Sequence, residues 1–100
     1  MDELPDLAPF QRRRDELAAQ MADAAFYSNP RRAADVTREH QKLAQLIADF
    51  RAHQRTAREL AEAHALGRDA AADPDLRELA AAELPDLERR RQELARSVLL

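Results

Sequence analysis

The sequence predicts an all-α fold: an elongated antiparallel three-helix bundle, or helical hairpin, with a long central helix. Three observations predict it. Apolar residues recur at alternating three- and four-residue steps along most of the 100 residues. Two Asx-Pro pairs, Asn29-Pro30 and Asp73-Pro74, cut that pattern into three segments. Alanine, leucine, arginine and glutamate dominate, aromatics make up 4% of the chain and Gly67 is the single glycine, which is the composition of long helices.

Each Asx-Pro pair reads as a helix start. The side-chain oxygen of Asn29 or Asp73 can accept from a backbone N–H that has no intrahelical partner. Proline in the next position sacrifices no hydrogen bond there. The first helix is expected over Pro9 to Tyr27, with Phe10, Leu17, Met21 and Ala24 as its apolar stripe. The second is expected over Pro30 to Leu66, with Gly67 as a left-handed cap. Val36, Leu43, Phe50, Ala57 and His64 fall one heptad apart along it, and Leu46, Ile47, Leu60 and Ala61 fill the companion positions. At ~1.5 Å per residue such a helix is roughly 55 Å long.

The third helix is expected over Pro74 to Val98, carrying Leu76, Leu79, Ala80, Leu84, Leu87, Leu94 and Val98. Short connections make neighbouring helices antiparallel. A three-helix section is expected around Val36 to Ile47, and an alanine-rich two-helix seam where 57–66 meets 76–84. Pro85 opposes this reading. An interior proline removes the bond to the Ala81 carbonyl, so a bend, or a break that makes 85–98 a separate helix, is expected there.

Composition narrows the chemistry. A net charge of −3 gives no global pull toward nucleic acid or anionic membrane. Without cysteine there is neither disulfide nor thiolate metal site. The opening "MDELPDLAPF" is acidic and lacks an apolar run, which predicts no signal peptide, no membrane anchor and a cytoplasmic location. His40, His53 and His64 lie too far apart on one helix to share an ion, and no Glu-x-x-His occurs; they read as seam or surface histidines. Ser28, Ser97, Thr37 and Thr56 sit in no nucleophile elbow, and one glycine cannot make a phosphate-cradling loop. No enzyme, cofactor, metal or small-molecule substrate is expected. Two arginine triplets, Arg12, Arg13, Arg14 and Arg89, Arg90, Arg91, are the candidate RNA contacts. Their neighbouring carboxylates make ordinary surface pairing the competing reading, and Arg91 leans toward the seam.

The run "DPDLRELAAAEL" followed by "LERRRQELARSVLL" resembles the end of the N-terminal domain of the bacterial peptide chain release factor 1 family. The earlier "SNPRRAADVTREHQKLAQLIADF" resembles the first turn and long second helix of the same domain. The likeness covers residues 8–100. It implies a single helical domain over 1–100, the first domain of a factor that reads stop codons (UAA and UAG for factor 1) and triggers peptidyl-tRNA hydrolysis. The resemblance also implies the ribosome, near the stalk base, and the GTPase release factor 3 as partners of the full-length protein. The Gly-Gly-Gln motif and the codon-reading tripeptide of the family are missing here, and "SVLL" stands where the family continues into a Pro-Lys-Asp-Pro-type linker, so an excised first domain is expected. Pro85 departs from the family pattern. The competing assignments are the related domain of peptide chain release factor 2 and a free-standing helical-hairpin adaptor or dimerisation module.

Overall fold

The structure, a computed structural model, describes residues 6–99. Its elements are α1 (Ala8–Met21), a single 3₁₀ turn (Phe26–Ser28), α2 (Pro30–Arg68) and α3 (Pro74–Leu99). There is no strand among the described residues. The all-α expectation and the long central helix hold. The chain divides into two compact units, one reaching to Ala48 and the other starting at Asp49, so α2 contributes to both.

Helix ends are set by aspartate and asparagine side chains. Asp6 Oδ1 accepts from the Ala8 N–H at 3.0 Å and starts α1. Asn29 Oδ1 accepts from the Arg32 N–H at 3.2 Å, while its carbonyl takes the first α2 bond, from Ala33 at 3.0 Å. Asp73 Oδ1 accepts from the Asp75 N–H at 2.8 Å and its carbonyl from Arg77 at 3.0 Å. Both Asx-Pro pairs are therefore N-caps followed by proline in the first helical position.

Two expected ends move. The first helix stops at Met21, not Tyr27, because Asp23 Oδ1 takes the Ala25 N–H at 2.9 Å and turns the backbone out of the helix. The 3₁₀ turn that follows delivers Phe26 to the core and leaves Ala24 exposed. Gly67 is no left-handed cap: it has no positive φ and lies inside α2, which runs on to Arg68. The stop comes two residues later, where Asp69 Oδ1 takes the Ala71 N–H at 2.9 Å.

The first unit is a hairpin of α1 against the N-terminal half of α2. Leu17, Phe26, Ala33 and Val36 form its core, with Met21 and Leu43 packed on them. Two cross-helix bonds, Arg13 to Glu39 and Arg32 to Gln20, fix the antiparallel register. Phe10 is half-buried at the start of α1.

In the second unit the C-terminal half of α2 faces α3. The buried positions of α2 here are Phe50, His53, Thr56 and Ala63, with Leu60 half-buried. The heptad of Val36, Leu43 and Phe50 reaches the half-buried Ala57 and ends there, since Ala61 and His64 are exposed. Successive steps of three residues from Ile47 to Phe50, His53 and Thr56 each fall short of a full turn and rotate the buried face. On α3, Ala80 and Val98 are buried and Leu84, Leu87 and Leu94 half-buried. Leu76 and Leu79 are exposed, against expectation, because the alanines hold the contact and the leucines lie beside it.

Pro85 lies within α3, so the chain does not break there. Pro85 and Ala81 are both exposed, which leaves water to satisfy the carbonyl that loses its bond. Replacing Pro85 with Ala is expected to raise stability by a fraction of the ~3 kcal/mol cost of an interior proline. Chemical denaturation reads this, and a lowered midpoint contradicts it. Gly67→Ala should add roughly 0.5–1 kcal/mol, because a Cβ there meets nothing within 4 Å and the backbone is already helical. A loss of stability from that variant would show that Gly67 needs a conformation alanine cannot adopt.

Candidate functional site

The second unit carries an open apolar groove of about 350 Å³. Ala63 and Ala80 form its floor, and their small side chains leave room between the flanking leucines. Leu66, Leu76 and Leu79 line it at 36%, 51% and 58% exposure, with Leu87 half-buried beside them. Glu59, Glu62 and Glu83 form an acidic rim. A cluster of exposed leucines edged by charge suits a protein contact better than a small polar ligand. The sequence placed Leu76 and Leu79 in the apolar stripe and so hid the groove.

The two arginine triplets are not two patches. Consecutive helical residues point about 100° apart, and carboxylates engage most of them. Arg13 grips Glu39 through Nε at 2.9 Å and Nη2 at 3.2 Å, and reaches Glu16 at 3.2 Å. Arg14 pairs with Asp15 at 3.2 Å. Arg89 lies 3.4 Å from Asp86 and 4.0 Å from Glu93. Arg91, half-buried along α3 as its position suggested, pairs with Glu88. Arg12 and Arg90 are exposed and make no ion pair among the described residues.

These bonds move titrations. Hydrogen bonds from Arg13 hold the Glu39 carboxyl below its ordinary value of 4.5, and the same bonds raise the Arg13 guanidinium. A hydrogen bond from Arg91 likewise lowers Glu88.

The histidines do not converge. His53 is buried, His40 half-buried and His64 exposed. The Thr56 hydroxyl is used up, donating to the Ala52 carbonyl at 2.8 Å. His53 Nε2 and Arg77 Nε are buried without a hydrogen-bond partner among the described residues. No group of three or more His, Asp or Glu side chains among those residues could hold a metal ion, and no helix is long and apolar enough to cross a membrane.

What the fold offers is surface: capped helical hairpins, an apolar groove and charged faces, the equipment of a helical binding domain. The chain belongs to the PCRF domain family, whose pattern it matches over residues 10–100. Its relatives include peptide chain release factor 1 of Akkermansia muciniphila, 33% identical over 88% of this chain and 24% of that protein. Peptide chain release factor 1 of Geobacter sulfurreducens is 34% identical over 85% of the chain and 23% of its own length. The protein of the same name from Sorangium cellulosum is 37% identical over 89% of the chain and 23% of its length. The chain thus spans about a quarter of the length of the curated relatives it matches. No solved structure matches it significantly.

The Arg13–Glu39 fork joins α1 to α2 and makes stability depend on pH with a definite sign. A depressed carboxyl stabilises the fold fully above its ordinary value of 4.5, and that contribution is lost as pH falls through the lower folded value. Glu39→Gln is therefore expected to melt below the parent at pH 7, by a gap that narrows as pH falls below 4.5. A gap between the two melting curves that stays constant over this range contradicts the assignment.

Proposed function

We propose that this chain is the first, ribosome-facing domain of a peptide chain release factor 1 that terminates translation at UAA and UAG stop codons in the cytoplasm. The observation that carries the reading is the PCRF match across residues 10–100, together with relatives named peptide chain release factor 1 at about one-third identity. In this reading residues 1–100 act as one domain, and stop-codon reading and peptidyl-tRNA hydrolysis belong to parts of the protein outside it. The domain itself catalyses nothing.

Its task is to seat the factor. We place its contact at the stalk base and GTPase factor site of the ribosome, where it cooperates with the GTPase release factor 3. The leucine groove supports a protein contact of this kind: Leu66, Leu76 and Leu79 offer apolar area, and Glu59, Glu62 and Glu83 favour an apolar helix with cationic flanks. A second contact far from the reaction centre raises the effective concentration of the catalytic part without entering its chemistry. Arg12 and Arg90 are the triplet members best placed to add RNA contacts, since no carboxylate holds them.

The 100-residue chain is expected to release no peptide from stop-programmed ribosomes. In the full-length protein, deleting residues 1–100 should leave hydrolysis measurable at saturating factor. The concentration needed should rise and the acceleration of recycling by the GTPase should be lost. Release and recycling kinetics of parent and deletion variant decide it. Two unchanged profiles refute the seating role, and release by the isolated chain refutes the division of labour.

A further inference from the structure

We propose that the solvent-facing side of the second half of α2 is a contact for an RNA backbone, with Arg51, Arg55 and Arg58 each binding a phosphate. This deepens the release-factor reading and rests on it for the presence of RNA. The three residues are spaced four and three apart, so they share one stripe of the helix, at rises of ~6 Å and ~4.5 Å. All three are exposed, on the side of the helix away from the buried His53, Thr56 and Ala63. None makes a hydrogen bond or ion pair among the described residues.

Arg51 has no Asp or Glu three or four residues away in either direction. Glu59 and Glu62 follow Arg55 and Arg58 at four residues, and neither forms an ion pair with them. Three guanidiniums without partners are three forks available to an outside anion, and a phosphate accepts a guanidinium through two parallel bonds.

The occupant follows from what the stripe lacks. Gln54 lies beside the arginines and there is no large apolar side chain among them, so the face has no core for a protein interface. A regular polyanion needs no such core, because its affinity comes from released counterions. Glu59 and Glu62 end the stripe and belong to the rim of the leucine groove, which repels phosphate and leaves that groove to protein. One unit thus presents two surfaces of opposite sign.

The probe is a labelled RNA hairpin of mixed sequence, titrated with the 100-residue chain between 50 and 200 mM salt by fluorescence anisotropy. Three phosphate contacts contribute about 2 to 3 to the slope of log affinity against log salt. The variant Arg51→Gln/Arg55→Gln/Arg58→Gln should lose that much slope and at least about tenfold in affinity at 50 mM, with an unchanged circular dichroism spectrum. The Lys triple variant keeps the charge and should keep the slope. Arg89→Gln/Arg90→Gln/Arg91→Gln should lose about one contact's worth. Equal slopes for parent and Gln stripe variant overturn the proposal, as does equal binding of the chain to polyglutamate, which would make the partner an acidic protein. The release-factor reading is judged separately, by the deletion of residues 1–100, and survives if only the stripe fails.

Discussion

Competition between side-chain oxygens and the helix for backbone N–H groups is the constraint on which this structure depends. Intrinsic propensity gives the chain little reason to stop. "ADAA" at 22–25 and "DAAAD" at 69–73 are rich in the best helix former. The helices nevertheless end there, because Asp23 and Asp69 each accept the N–H two residues on. Asn29 and Asp73 then restart the helix with proline behind them. Each turn therefore uses one acceptor to stop and another to begin. Where those acceptors sit decides which helical faces meet, and so what becomes core and what remains surface.

The seams they create are thin. Leu17, Ile47 and Phe50 are the largest fully buried side chains, and most of the remaining core is alanine and valine. Alanine permits close approach but buries little area, at ~25 cal/mol per Å². In the second unit the consequence is direct. With Ala63 and Ala80 at the contact, the larger Leu76 and Leu79 are pushed to the edge and stay half in water. A seam of leucines would have buried them and left no groove. The open groove is the counterpart of a small-residue core.

Much of the fold was legible in the sequence for the same reason. Asx-Pro pairs carry their own mechanism, so the sequence alone marks Asn29 and Asp73 as caps. The stop signals of α1 and α2 are less conspicuous. Asp23 and Asp69 share a D-x-A pattern with Asp6, and all three accept from the N–H of that alanine. Gly67 is not needed as a cap, because an aspartate two residues later ends the helix without a left-handed residue. The heptad beginning at Val36 fails at His64, because three-residue steps from Ile47 onward turn the buried face toward His53 and Thr56. Periodicity is a local property, and a 39-residue helix serving two units need not keep one stripe.

The charged surface was the least legible part, and the reason is geometric. A run of arginines in sequence draws the eye, yet on a helix three neighbours spread over most of the circumference. Whether a guanidinium is available depends on the carboxylates within its reach, on its own helix three and four residues away or on the facing one. Arg13, Arg89 and Arg91 are held by Glu39, Asp86 and Glu88, whereas Arg51, Arg55 and Arg58 look scattered in sequence and align in space. An arginine already in a fork must give up that partner before it can take a phosphate, and the exchange of one anion for another gains little. A free arginine gives up only water and counterions. Pairing, more than clustering, therefore separates cations that hold this fold together from cations able to hold something else.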